Sequence, residues 1–154
     1  MRLFWRLTLC VLCGGLLAAC GGQSAPPATC GARVCLTDIR LLRQQTDSLT
    51  LLFEITAPDG SVDPAAPPSF GEPLHVRVND KTGDRLLLDR VFTSDSLVCG
   101  VDNTIPGAEG RLTAACLAVV PDSDFNDPLV SGQEVTVTIY SDSFPLVLWR
   151  LNLP

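Results

Sequence analysis

Residues 48–56 have the sequence SLTLLFEIT, in which large apolar side chains recur at every second position. The odd-numbered residues from Leu49 to Ile55 therefore lie on one face of an extended strand, and the residues between them lie on the other face. The same alternation recurs in Leu74–Val78 and in Val135–Tyr140. A period of two over short segments predicts β-strands that bury one face.

Further segments have the composition of strands and are separated by turn residues. They are Val34–Leu42, Arg85–Phe92, Leu112–Val120 and Leu146–Leu153, with a possible short eighth strand at Leu97–Val101. No segment between them resembles a crossover helix, so antiparallel pairing is expected. Seven or eight short strands in a chain of 154 residues predict one all-β domain, an antiparallel β-sandwich that is immunoglobulin-like or related. A small β-barrel is the alternative, because strand count alone does not distinguish the two folds.

Composition and charge restrict the function. The chain has 11 Lys and Arg against 17 Asp and Glu, which gives a formal net charge of −6. This balance leaves no cationic surface for a phosphate backbone and argues against nucleic-acid binding. The single histidine, His75, lies at an alternating polar position, and no motif pairs it with a nucleophile and an orienting acid. We therefore expect a protein that is not an enzyme.

The first 20 residues combine a basic start, an apolar run and the sequence Leu17-Ala18-Ala19-Cys20. The apolar run from Leu7 to Ala19 has 13 residues, whereas a spanning helix needs about 20. The segment is therefore predicted to be a signal peptide. Its last four residues resemble the lipobox of bacterial lipoproteins. The alternative is an ordinary secretory leader that happens to precede a cysteine.

The lipobox resemblance implies a lipid anchor and a location. The thiol of Cys20 would receive a diacylglycerol, residues 1–19 would be removed, and the acyl chains would hold the protein on a lipid bilayer. Gly21 follows the cysteine in place of the Asp that retains such proteins in the inner membrane of enteric-type bacteria. The resemblance thus implies the cell envelope, and the outer membrane if the organism has one. Residues 20–29 are predicted to form a lipidated tether, because they lack large apolar side chains, and residues 30–154 the sandwich domain.

Four cysteines remain in the mature chain, namely Cys30, Cys35, Cys99 and Cys116. An even number of cysteines in an oxidising compartment predicts disulfides. Of the three pairings, Cys30 with Cys35 and Cys99 with Cys116 is favoured, because each cysteine then joins its nearest neighbour in sequence. A zinc site made of the four thiolates is disfavoured, because the spacings do not match short zinc knuckles.

Two long connections are candidates for function. The first, residues 57–73, contains five prolines and is predicted to be an ordered crossover between sheets, with Phe70 as the first candidate for a partner contact. The second, residues 121–132, carries oxygen ligands at alternate positions in the manner of a calcium loop. These calcium candidates are Asp122, Asp124, Asn126 and Asp127.

The calcium resemblance is partial, because the sixth and twelfth positions of an EF-hand loop correspond here to Asp127 and Gln133 in place of Gly and Glu. A solvated acidic turn is the default, and no cofactor is expected. The sequence as a whole suggests a non-enzymatic binding or envelope-assembly module with an envelope protein as partner. The alternatives are a calcium-binding domain and an envelope enzyme, such as a hydrolase that uses Asp122 and Asp124 with a bound metal. The enzyme alternative would be favoured if Asp122, Asp124 and His75 converged in one pocket.

Overall fold

The computed structural model describes residues 28–102 and 112–154. The leader, its lipobox and residues 20–27 of the predicted tether lie outside the described residues. Nine strands and two short 3-10 turns, Ser94–Ser96 and Asp122–Asp124, make up the regular structure of the described part. The strands are β1 Thr29–Cys30, β2 Cys35–Gln45, β3 Ser48–Thr56, β4 Leu74–Asp80, β5 Leu86–Phe92, β6 Val98–Asp102, β7 Thr113–Pro121, β8 Glu134–Tyr140 and β9 Val147–Asn152.

The strands form two antiparallel sheets that pack face to face. Sheet 1 has the order β1-β2-β3-β7-β6, and sheet 2 has the order β5-β4-β8-β9. Strands β2 to β9 follow the chain order A, B, C, C′, D, E, F, G of an immunoglobulin domain. With these letters, the strand order of sheet 1 is A-B-E-D, with β1 added outside strand A. The strand order of sheet 2 is C′-C-F-G. The predicted sandwich is confirmed, and the two sheets do not close into a barrel.

The core between the sheets follows from the alternation in the sequence. Phe53 on β3, Val76 on β4 and Val137 on β8 are fully buried, and each comes from the apolar half of its strand. Trp149 on β9 is 8% exposed and belongs to the same core cluster, as expected from its position between Val147 and Leu151. One apolar layer therefore stabilises both sheets.

All eight predicted strands are present, and their ends differ from the prediction by a few residues. The largest difference is at β2, which continues past Leu42 to Gln45 because Gln45 pairs with Ser48 across the tight β2–β3 turn. Strand β1 was not predicted. Thr29, assigned from the sequence to the tether, pairs with Leu36, so the predicted tether is one residue too long.

Both favoured disulfides are formed, and both lie at the edges of sheet 1. Cys30 is bonded to Cys35 and Cys99 to Cys116. The two cysteines of each pair lie directly opposite each other on adjacent strands. Edge strands β1 and β6 are therefore each joined covalently to the next strand of the sheet.

Candidate functional site

The acidic segment 122–127, here called the acidic loop, begins against sheet 1. It follows β7 directly, and the backbone N–H of Asp122 donates to the carbonyl of Asp47 in the β2–β3 turn at 2.8 Å. Nη1 of Arg43 donates to Oδ2 of Asp122 at 2.8 Å. The start of the loop is thus held by the β2–β3 hairpin.

The rest of the acidic loop is held by sheet 2. Asp124 forms an ion pair with Arg90 of β5, and Oδ2 of Asp127 lies 3.1 Å from Nε of Arg85. Asn126 donates its backbone N–H to the carbonyl of Leu87 at 2.9 Å and its side-chain Nδ2 to the carbonyl of Leu86 at 3.1 Å. The loop therefore connects the two sheets and covers part of β5.

These contacts correct the calcium hypothesis. Asp122, Asp124 and Asp127 each face a different arginine, and Phe125 between them is buried in the core. A calcium site needs several oxygen ligands that converge on one point, and this loop directs its carboxylates apart. Within residues 28–102 and 112–154, no three His, Cys, Asp or Glu side chains are grouped to hold a metal ion.

The structure also corrects the assignment of Phe70 as a partner contact. Phe70 is 2% exposed. Its ring packs edge-on against Phe53, at 6.1 Å between centroids, and against Phe144, at 5.7 Å. The side chain enters the core because a large aromatic ring gains more from burial than from exposure on a loop. It is not available to a partner.

Glu72, two residues after Phe70, also holds the connection 57–73 in place. Its Oε1 accepts hydrogen bonds from the hydroxyls of Ser141 and Ser143, and from the backbone N–H of Ser143 at 3.1 Å. The hydrogen bond from Ser141, followed by those from Ser143, lowers the pKa of the Glu72 carboxyl below its usual value. The proline-rich connection 57–73 is therefore an ordered crossover, anchored by Phe70 and Glu72.

His75 lies on the outer face of sheet 2 and stacks on Tyr140 with 4.7 Å between ring centroids. The two residues are directly opposite in the register of β4 and β8. Asp122 lies at the sheet 1 side of the acidic loop, against Arg43. The enzyme alternative requires His75, Asp122 and Asp124 in one cleft, and the described structure does not bring them together.

A shallow groove of about 470 Å³ crosses the outer face of sheet 2 beside this stacked pair. We call it the outer groove. Its walls combine the polar side chains of Arg77 and Thr138 with the ring of Tyr140 and the apolar side chains of Leu146 and Leu148. Arg77 is held by Asp89, with 2.7 Å between Nη2 and Oδ2. The sequence does not predict this groove, because it is formed by outward-facing residues of three strands that are far apart along the chain. The one feature of the sequence that points to this groove is the set of polar residues that alternate with the apolar ones in each strand.

Comparison of the chain with protein-family models, curated proteins and solved structures finds no match. Among the helices of the described residues, none has the length and apolar character needed to cross a membrane.

Proposed function

We propose that this chain is a lipid-anchored, non-enzymatic binding or assembly module of the bacterial cell envelope. The observation that carries the proposal is the motif Leu17-Ala18-Ala19-Cys20 at the end of a basic and apolar leader. Acylation of Cys20 would attach two or three acyl chains. A single acyl chain binds membranes only marginally, so the additional chains would make the attachment stable. The outer membrane is the proposed location where the organism has one.

The short link between the motif and the fold supports this proposal. Strand β1 begins at Thr29, which leaves the eight residues 21–28 after Cys20. Eight residues span at most about 28 Å. A domain on this link would stay close to the bilayer surface, where its neighbours are other envelope proteins.

The surface chemistry of the sandwich also supports binding over catalysis. The carboxylates of the acidic loop are held by arginines, and His75 is stacked on Tyr140. The outer groove instead offers an aromatic ring, two leucines and polar side chains on the outer face of sheet 2. Such a mixture of apolar area and a few polar groups is typical of a recognition surface.

Replacement of Cys20 tests the proposal. In cells fed a labelled fatty acid, wild-type protein should carry the label and fractionate with membranes, in the outer-membrane fraction of a host with two membranes. Cys20→Ser should lose the label and accumulate as a longer precursor or appear in the soluble fraction. Cys13→Ser, a change within the leader but outside the motif, is the control and should behave as wild type. A Cys20→Ser protein that is labelled and fractionates as wild type would contradict the lipid anchor.

A further inference from the structure

The edges of sheet 1 carry features that discourage pairing with another strand. Strand β1 has only two residues. Beyond it, the outer edge of β2 has two irregularities in its register with β3 and carries Asp38, Arg40 and Arg43. On the other side, β6 has five residues, one of which is Gly100. Short strands, irregular pairing and charge are the usual protections of a sheet edge.

In sheet 2, the edge strand β5 is protected by the acidic loop. Asn126 donates hydrogen bonds to the carbonyls of Leu86 and Leu87, and Asp124 and Asp127 pair with arginines on or next to the same strand. Those bonds occupy backbone groups that an added strand would need.

Strand β9, at the opposite edge of sheet 2, lacks the irregular register, the glycine and the hydrogen bonds from a loop that protect the other edges of the described sheets. Val147–Asn152 pairs with β8 in a regular register over all six residues. Strand β2 of the facing sheet lies near β9, but no described strand is hydrogen-bonded to the other side of β9. It contains no proline or glycine, and its one charged residue is Arg150. Leu148 is 57% exposed, and Leu146 just before the strand is 65% exposed. A regular edge strand with exposed leucines is suited to pairing with an extended segment.

We propose that the open side of β9 binds an extended segment of another envelope protein by strand addition. The segment would place an acidic side chain beside Arg150 and an apolar side chain beside Leu148. Backbone hydrogen bonds would provide the attachment, and these two neighbours would select the sequence. The location of the partner rests on the proposed function, whereas the binding site rests on the geometry of β9.

Charge favours a different protein over a second copy of this chain. Arg150 is exposed, and no described residue forms an ion pair with it. Residues 145–154 contain no Asp or Glu. Antiparallel pairing of two β9 strands would therefore bring a second Arg150 and no carboxylate to this edge.

A peptide based on β8 is the probe, because β8 already pairs with β9 on its other side. It has the sequence of residues 134–140 with glutamate at the position of Thr136, which faces Arg150, and valine at the position of Thr138, which faces Leu148. A second peptide has lysine in place of the glutamate. A third peptide has the side chains of the glutamate peptide but is N-methylated at alternate backbone nitrogens. This change removes the backbone N–H donors at those positions.

Binding is measured by anisotropy of the labelled peptides with the full chain, purified in detergent if it is membrane-bound. Hydrogen exchange maps the site. The glutamate peptide should bind saturably and protect β9 amides, and the N-methylated peptide should bind at least about tenfold more weakly. Arg150→Glu should reverse the preference in favour of the lysine peptide by about two- to fivefold.

Leu148→Lys should also weaken binding, because it places a charge on the edge strand. The matched control is Val91→Lys on the covered strand β5, where Val91 is 46% exposed, and it should leave binding unchanged. The proposal is overturned if no β9 amide is protected, if N-methylation or Leu148→Lys has no effect, or if sedimentation shows that the chain dimerises through β9. These measurements do not depend on acylation, so a failed lipid anchor and a failed β9 site give separate results.

Discussion

At the scale of single residues, Phe70 and Glu72 decide the path of a long connection. Phe70 inserts between Phe53 of β3 and Phe144 of the β8–β9 turn, and Glu72 accepts three hydrogen bonds from that same turn. Gly71 between them has a φ of 68°, a conformation that favours glycine. The chain can therefore direct one side chain into the core and the other along the surface within three residues.

Phe70→Ala should reduce the free energy of unfolding by about 3–5 kcal/mol, because it leaves a cavity among packed aromatic rings. The measurement is urea denaturation at neutral pH. Leu146→Ala, at a position 65% exposed, is the control and should change stability by no more than about 0.5 kcal/mol. Equal effects of the two substitutions would mean that Phe70 is not a core residue.

Glu72→Gln should remove a pH-dependent part of the stability. Hydrogen bonds from Ser141 and Ser143 lower the pKa of Glu72 in the folded protein, so folding favours the carboxylate. This contribution is complete above the ordinary carboxyl pKa of about 4.3 and is lost as the pH falls through the lowered folded pKa. The urea midpoint of wild type should exceed that of Glu72→Gln at pH 6, and the difference should shrink as the solution is acidified. A difference that is independent of pH would contradict this assignment.

At the scale of strands, the two disulfides act on the edges of sheet 1. Each joins residues that are already opposite each other in the sheet, so the crosslink adds to the hydrogen bonds between neighbouring strands. The loops they close differ in length, with sequence separations of 5 for Cys30–Cys35 and 17 for Cys99–Cys116. A longer closed loop removes more entropy from the unfolded chain.

Replacement of Cys99 and Cys116 by Ala should therefore cost about 3 kcal/mol, and replacement of Cys30 and Cys35 about 2 kcal/mol. Urea unfolding of the two double variants and of oxidised wild type measures both losses. Membrane fractionation serves as the control and should be the same for all three proteins. A larger loss for the Cys30 and Cys35 variant would show that loop length is not the dominant factor.

At the scale of the whole molecule, one core is shared by both sheets. Residues of β2, β3 and β7 from sheet 1 and of β4, β8 and β9 from sheet 2 belong to a single buried cluster. The acidic loop adds contacts to Arg43 on one sheet and Arg90 on the other. If one sheet unfolded, the inner face of the other would be exposed to water. The apolar burial that stabilises both sheets would then be lost.

The domain should consequently unfold in one cooperative transition. The chain has two tryptophans, Trp5 and Trp149, so a Trp5→Phe background makes fluorescence report on β9 alone. The denaturation midpoint from this fluorescence should coincide with the midpoint from far-ultraviolet circular dichroism, which reports on both sheets. Separate midpoints would show that sheet 2 unfolds independently of sheet 1.

The alternating patterns of the sequence were sufficient for the strands, the antiparallel sandwich and the buried face of each strand. Alternation is a local property, since every second side chain of a strand faces the same side whatever its partners are. The pairing of the cysteines also followed from closeness in sequence. The strand ends and β1 were less predictable, because they depend on pairing with another strand. Strand β2, for example, extends as far as its pairing with β3 extends.

Only the tertiary structure decided what the long connections do. Arg43 pairs with Asp122 across 79 positions of sequence, and Glu72 with Ser143 across 71. A local sequence pattern contains no information about contacts between residues so far apart along the chain. Phe70 was therefore predicted to be an exposed loop residue, and the acidic loop was considered as a set of calcium ligands. The outer groove and the open side of β9 are likewise properties of the assembled sheet. The sequence by itself determined which faces are apolar, because this depends on residues that are neighbours along the chain. Tertiary packing determined which charges and aromatic rings meet, because this depends on how the two sheets bring distant segments together.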